Sequence, residues 1–387
     1  MEMRKVGLVT LYKNNYGSTL QCYSLKKIIE QQGYTCILLD EKTNISLKNK
    51  ILKKIDICMN SIRYPGYLKK FLSMRRAMQI EQTYLTVESS DSLEKFIDTM
   101  LKPQECTWEE LMQVGMDSFY KAFFVGSDQV WNASRRIPSF FFLQFAPAYK
   151  RHTYAVSFGV SEVPAYYKKE IVKGLNNFKG VSVREEAGKK IVEKYGQNIV
   201  KQHIDPTMLL SAEYWKEFSK NVKVPREPFI LIHFLNEPND VVLKEIAILV
   251  DRLKCGVRGF AYWHKNYDEI PGFVFLNGGP EEYISLINNA SYILTDSFHT
   301  TIFSINLHKN FFVFHRNYLH NFPQTSRISG LLEKFSLQDR LLTEITDNVS
   351  ECIYGKEVDD IILMERKLGI DFIRQELESG GDLRERF

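Results

Sequence analysis

Lys5-Val6-Gly7-Leu8-Val9-Thr10-Leu11, then Lys13-Asn14-Asn15-Tyr16-Gly17-Ser18, then Leu20, Tyr23, Leu25, Ile28 and Ile29 at helical spacing, then Gly33 and Cys36-Ile37-Leu38-Leu39-Asp40: these residues decide the fold. The first run is short, β-branched and mostly apolar, as suits a strand buried on both faces. A polar turn follows, the spaced apolar residues make one face of a helix, and Gly33 stands where a helix C-cap is wanted. The last run is a second strand. One βαβ unit of this kind is the signature of a parallel sheet.

Outward from this unit the pattern blurs through residues 48–78 and then returns. Ala122–Gly126, His152–Gly159 and Gly180–Glu186 read as strands, the last running into a helix from Glu186 to Tyr195. Pro225 and Pro228 punctuate a linker near Asn221. Beyond it Phe229–Leu235 opens a second alternation, with helices at Val241–Leu253, Tyr283–Ala290 and Thr300–Asn306 and strands at Gly256–Tyr262, Ser291–Thr295 and Asn310–Phe314. The economical reading is α/β, with two Rossmann-like halves facing a cleft: residues 1–222 with a basic insertion at 48–78, residues 223–350, and a helical tail at 351–387 that packs back on the first half.

Bulk properties narrow the function. The chain is 44% hydrophobic and 25% charged, ordinary for a folded globular protein. A net charge of +4 does not call for a nucleic-acid partner. From Lys48 to Arg76, however, nine Lys and Arg face a single acid, Asp56. Ile51, Leu52, Ile55, Leu68, Phe71 and Leu72 are interleaved with those charges, as in helices that lie on membrane surfaces; an insertion packing its apolar residues on the domain is the competing expectation. Six scattered cysteines form no pair at metal-ligand spacing, which argues against zinc and disulfides and for a reducing compartment. The apolar run at Met1–Tyr12 is too short for a secretory signal, and no stretch reaches the roughly 18 apolar residues of a spanning helix. The expectation is a cytoplasmic protein.

In open parallel sheets ligands bind beyond the carboxyl ends of the strands, and four such segments are unusually polar. Asn15-Tyr16-Gly17-Ser18, with Gln21 behind it, opens a helix whose free N–H groups suit anions or sugar hydroxyls, or else Ser18 is only an N-cap. Gly126-Ser127-Asp128-Gln129-Val130-Trp131-Asn132 combines planar polar groups with an indole, the mixture sugar recognition uses. Arg184 ends a strand and can aim its planar fork at a carboxylate or phosphate, unless Glu185 or Glu186 merely pairs with it. Thr295-Asp296-Ser297-Phe298-His299-Thr300-Thr301 brings hydroxyls and a histidine to a helix start, with Gly278-Gly279-Pro280 making a second Gly-rich turn upstream.

These segments, together with Ser182-Val183-Arg184-Glu185, Asp205-Pro206-Thr207 and Ser326-Arg327-Ile328, resemble the polysaccharide pyruvyl transferase family in order and spacing. The likeness runs from about residue 5 to about residue 342, and Gly126–Asn132 is its most specific string. The resemblance implies a GT-B-like glycosyltransferase architecture and transfer of a pyruvyl group from phosphoenolpyruvate to a sugar hydroxyl pair of a surface polysaccharide or its lipid-linked precursor. The product would be a cyclic ketal, with release of phosphate and no cofactor or metal. By that likeness His299 and Arg184 carry catalysis and donor binding, and Ser297, Thr300, Arg327 and Gly279 line the donor side. Asn15, Tyr16, Gly17, Gln21, Ser127, Asp128, Gln129, Trp131 and Asn132 line the acceptor side. Two departures stand out. Some members have Arg-Leu-His where this chain has Ser297-Phe298-His299, so Arg327 or Arg316 would replace an arginine, and many have glycine where Thr300 stands. A histidine titrates near neutrality and can donate the proton such chemistry needs. Partners so implied are phosphoenolpyruvate, a saccharide acceptor that could be polyprenyl-diphosphate-linked, and an anionic membrane face. The rival readings are a GT-B glycosyltransferase using a nucleotide sugar, with Glu281 or Glu282 holding its ribose, and a non-catalytic carbohydrate-binding protein.

Overall fold

The computed structural model describes residues 4–42, 55, 57–69, 71–72, 85–134, 136–196, 199–315, 325–343 and 354–379. Arg316 and much of the basic insertion (48–54, 56, 70 and 73–78) lie outside the described residues, as do the side chains of 325 and 326.

The opening run forms β1 (Lys5–Val9), buried from Val6 to Val9 because both faces of the sheet are covered. With β2 (Thr35–Glu41), β3 (Gln104–Cys106), β4 (Tyr120–Val125) and β5 (Arg151–Thr153) it makes an all-parallel sheet of order β3-β2-β1-β4-β5. The strand expected at 152–159 stops at Thr153. There the chain bends to serve a second pair, β6 (Gly180–Val183) and β7 (Ile199–Gln202): Val156 bridges Val183, and Ala155 N donates to Ser182 Oγ at 2.8 Å. A second parallel sheet, β8 (Phe229–His233), β9 (Gly256–Phe260), β10 (Val274–Leu276), β11 (Tyr292–Thr295), β12 (Phe311–Phe314) and β13 (Leu341–Leu342), has the order β10-β9-β8-β11-β12-β13.

Both sheets are doubly wound, and that fixes where ligands can bind. In each, the connections leave in opposite directions from two adjacent central strands, β1 and β4 or β8 and β11, and open a crevice at their carboxyl ends. Three of the four polar segments follow β1, β4 and β11 and so sit at these two crevices; the fourth, at Arg184, follows β6 of the separate pair. The helix that starts at the first one, Tyr16–Gln31, is capped by Asn15, whose side chain accepts from Ser18 N; Gly33 follows its end with φ +86°, the left-handed conformation that glycine takes freely.

One apolar core runs through both halves. Trp215 packs edge-on against Phe303 with ring centroids 5.0 Å apart, and Tyr16 stacks on Tyr283 at 5.2 Å. Tyr16 Oη donates to Gly278 O at 2.5 Å, tying the start of the first helix to the second sheet. The helix Lys356–Ser379 lies across both halves: Arg366 Nε donates to Met208 O, Phe372 packs on Tyr154 and His203, and Glu365 pairs with Lys334. Among the described residues no helix is long and apolar enough to cross a membrane. Tyr16→Phe leaves the half-buried Gly278 carbonyl without its donor and is expected to cost about 1 kcal/mol, read by urea unfolding as a lower midpoint with an unchanged slope.

Candidate active site

The crevice is built around Arg184, which follows β6 directly and whose side chain is almost wholly buried. Its Nη1 donates to Asp205 Oδ2 at 2.8 Å, while Nη2 stands 3.8 Å from Asp128 Oδ1 and Nε 3.6 Å from Glu185 Oε2. Those last two distances exceed hydrogen-bond length, so Nε and Nη2 are buried without a hydrogen-bond acceptor among the described residues. Each carboxylate has its own anchor. Asp205 Oδ1 accepts from the Thr207 amide and hydroxyl, Asp128 Oδ2 from Ser18 Oγ at 2.5 Å, and Glu185 Oε1 from Ser157 Oγ at 2.6 Å. Asp128 itself sits at φ 60°, a left-handed position that Asp tolerates better than most residues.

His299 enters from the other half, in the first turn of helix Phe298–Asn306, where Ser297 is the N-cap. Its Nε2 lies 3.5 Å from Asp205 Oδ2 and makes no hydrogen bond among the described residues. The opposite edge of the ring faces Gly17, where any side-chain carbon would overlap the imidazole. Burial opposes the charge of Asp205, but His299, Arg184 and the Thr207 amide outweigh it and hold the carboxyl well below the usual carboxylate range. Burial likewise opposes Asp128, and Arg184, His299, the Ser18 hydroxyl and Arg327 keep it ionised. For Arg184, the carboxylates of Asp205, Glu185 and Asp128 overcome its burial and raise its pKa.

A second arginine converges on the same place. The Arg184 and Arg327 guanidinium carbons lie 4.4 and 5.5 Å from the centre of the Phe298 ring. With its amide oxygen turned toward the guanidinium, Gln129 accepts from Arg327 Nη1 and Nη2 at 2.8 and 2.9 Å. Both arginines line a cavity of about 450 Å³ that also meets Asp205, His203, Lys190 and Lys334. His299 is not in that lining; it stands behind Asp205 and Phe298. Arg327, one of two candidates for the arginine missing before His299, lines this cavity; Arg316, the other, lies outside the described residues.

Much of the polar sequence around the crevice turns inward. Gln21 Nε2 donates to Thr10 Oγ1, Leu11 O and Ser18 O, and its Oε1 accepts from Ser127 N, so its amide is spent on stitching loops together. Ser127 Oγ donates to Ala155 O. Trp131 is not a sugar platform: it sits in the core against Phe142, Phe158 and Phe178 and donates from Nε1 to Phe141 O. Asn132 Oδ1 accepts from Ser134, Asn15 is a helix cap, and Tyr16 is the interdomain tie described above. On the other side Thr300 Oγ1 is shared by His233 and Tyr283, Ser297 Oγ caps Thr300 N, and Gly279 N donates to Glu282 Oε2. The hydroxyls expected to cradle a phosphate at the His299 turn are consumed inside the fold, and Glu282 is a cap rather than a ribose ligand. An apolar run followed by a polar string shows where a strand ends; it does not show which polar groups will find backbone partners.

Sequence reasoning undervalued Asp205, Phe298, Glu185 and His203. Asp205-Pro206-Thr207 carried a signal, since an acid two residues before a threonine makes an Asx-type turn that fixes its carboxylate. Nothing marked Phe298 or His203. His203 shares Nδ1 with Ser182 Oγ at 2.8 Å and packs on Phe372. Burial, then Lys201 and Lys334, lower its pKa from 6.5 to about 4. Among the described residues no group of three His, Cys, Asp or Glu side chains converges as a metal site would require.

With this geometry in hand, comparison with known proteins gives a family. The model of the polysaccharide pyruvyl transferase family matches residues 15–318, whereas no curated protein matches the chain. Among solved structures the chain resembles UGT89C1 of Arabidopsis thaliana, at 9% identity over 97% of this chain and 100% of that one, TM-score 0.53. It also resembles the UDP-GlcNAc 2-epimerase of Methanocaldococcus jannaschii, at 10% identity over 96% and 98%, TM-score 0.50. At such identities the likeness is one of fold, and that fold is GT-B.

Gly17→Ala forces the His299 ring or the helix start to move and is expected to cost about 1–3 kcal/mol, measured by chemical denaturation. For His203 the folded-state pKa lies below the unfolded one. Its stabilising effect is therefore complete above pH 6.5 and lost as pH falls toward 4, a swing of roughly 3 kcal/mol. Thermal melts across that window should show this acid limb in the parent protein and a flatter one in His203→Gln.

Proposed function

Because the chain belongs to the polysaccharide pyruvyl transferase family, we propose that it moves the pyruvyl group of phosphoenolpyruvate onto two hydroxyls of one sugar, closing a cyclic ketal and releasing inorganic phosphate. The acceptor is a surface polysaccharide or its lipid-linked precursor, met in the cytoplasm at the inner face of a bacterial membrane. No cofactor is required.

The observation that carries this reading is the pair of arginines bracketing the 450 Å³ cavity beside a buried histidine nitrogen that has no hydrogen-bond partner among the described residues. Arg184 offers Nε and Nη2 to the donor carboxylate, the bidentate geometry for which guanidinium is suited, and Arg327, held by Gln129, sets a second positive charge beside the phosphate. Protonation of the enol at C3 leaves C2 an oxocarbenium-like electrophile, which a sugar hydroxyl attacks with loss of its proton. The C2–O bond to phosphate then breaks, the second hydroxyl adds at C2 and gives its proton to the phosphate, which departs with the charge the arginines have been neutralising. His299 supplies the C3 proton and recovers one from a hydroxyl; Asp205 orients the imidazole and stabilises its protonated form. His299 is not among the residues lining the cavity, so its ring has to turn away from Gly17 to reach the donor. At that place the halves are joined by the Tyr16–Gly278 hydrogen bond and by ring contacts.

Incubation with phosphoenolpyruvate and a panel of galactose-, glucose- and mannosamine-type acceptors should release phosphate and add one pyruvyl unit, less water, to the acceptor mass. His299→Ala is expected to lower kcat at least about 100-fold, and Arg327→Ala to raise the donor KM more than it lowers kcat. Full turnover by His299→Ala, or transfer from a nucleotide sugar alone, would sink the reading.

A further inference from the structure

The basic insertion carries a surface that neither the fold nor the cleft uses. Residues 57–63 are helical, Tyr64-Pro65-Gly66 turn with Gly66 at φ +84°, and 67–69 and 71–72 are helical again. Aromatic side chains fasten this piece to the first half. Tyr67 is buried edge-on against Tyr166 with centroids 4.8 Å apart, Tyr64 meets the same ring at 6.1 Å, and Phe71 stacks on Tyr67 at 6.1 Å. The aliphatic side chains point the other way. Ile55, Met59 and Ile62, spaced i, i+4 and i+7 on one helix face, and Leu68 and Leu72, spaced i, i+4, are between 46% and 83% exposed. A packing role would have buried them, as it buries Tyr67. Large aliphatics so concentrated on a surface mark an interaction site.

Charge selects the occupant. Between Lys48 and Arg76 the sequence has nine basic residues and one acid, which leaves 42 basic against 46 acidic in the remainder of a chain with 51 and 47. The positive potential therefore belongs to this segment and not to the molecule. Two copies of such a patch meeting across a two-fold axis would repel. An anionic lipid surface instead attracts the charges and receives the aliphatic side chains below its headgroups.

We propose that the described residues of this segment form a peripheral membrane seat, with Ile55, Met59, Ile62, Leu68 and Leu72 entering the headgroup boundary of an anionic bilayer and Arg63 and Lys69 contacting lipid phosphates. The seat is joined to the cleft: Tyr166, on which it rests, lies in the same irregular segment as Ser161, which lines the arginine cavity. An acceptor anchored in that bilayer would thus be delivered close to the cavity. The seat does not depend on which group the enzyme transfers, and its test reads binding alone.

In flotation with phosphatidylcholine vesicles containing phosphatidylglycerol, the full chain should rise with the lipid. It should stay behind with phosphatidylcholine alone and be released by added salt. The double variant Met59→Ser/Ile62→Ser should partition at least about ten-fold more weakly while keeping the parent's melting temperature. Absence of flotation with anionic vesicles, or equal flotation of parent and variant, would overturn the proposal. So would a parent dimer in light scattering that dissociates in the variant without any lipid binding, which would give the surface to self-association.

Discussion

A guanidinium shut away from water keeps its charge and must be surrounded by acceptors, and Arg184 imposes that demand on the whole crevice. Three carboxylates answer it from three places: Asp205 from the loop after β7, Asp128 from the loop after β4, and Glu185 from the arginine's own chain neighbour. Carboxylates taken from water need hydrogen bonds of their own. Thr207, from the same loop as Asp205, and Ser18 and Ser157 supply them, and the two serines draw two further segments to the same point. The loops at the ends of β1, β4, β6 and β7 are organised as the coordination sphere of one cation.

The same demand couples the two halves. Ser18, which holds Asp128, lies one residue from Gly17, whose missing side chain makes room for His299 from the second half; His299 in turn faces Asp205, the closest partner of Arg184. Tyr16, next in line, binds Gly278. A displacement of any of these groups has to be shared by the others, because each occupies space or satisfies a charge that its neighbour cannot do without. The fully buried helix Phe298–Asn306 provides the fixed side of the arrangement, having no exposed face along which to slide.

How much of this the sequence discloses follows from what kind of information each feature needs. The central strands were legible because burial on both faces leaves an apolar run, and alternating β and α announced parallel sheets; the short edge strands β3, β7, β10 and β13, two to four residues each, leave no such run, and the strand order came from the structure. Arg184 and His299 were legible because each stands where a strand meets a helix. Gln21, Trp131 and Thr300 were misread because a polar or amphipathic side chain beside a ligand cleft and one that closes a loop look alike along the chain. Gln21 has all of its hydrogen bonds inside the protein, and only the relative placement of Thr10, Leu11, Ser18 and Ser127 reveals it. Phe298 was missed for the reverse reason: an apolar residue in an apolar helix gives no sign that two guanidinium groups will rest on its ring.

The cavity is lined by four cations, Arg184, Arg327, Lys190 and Lys334, and by four carboxylates, Asp205, Glu185, Glu186 and Glu333. Net attraction therefore cannot be what holds an anion there; direction must be. Arg184 has two N–H groups aimed at carboxylates that are too far to accept them, at 3.6 and 3.8 Å, and an anion bonding to those groups would replace long contacts by short ones. Asp128 would then lose part of its share of the arginine and lean on Ser18, at the helix start that presses on His299. The arginine and the histidine thus share two carboxylates, Asp205 directly and Asp128 by way of Ser18 and the helix start beside Gly17, so a change at either one bears on the other.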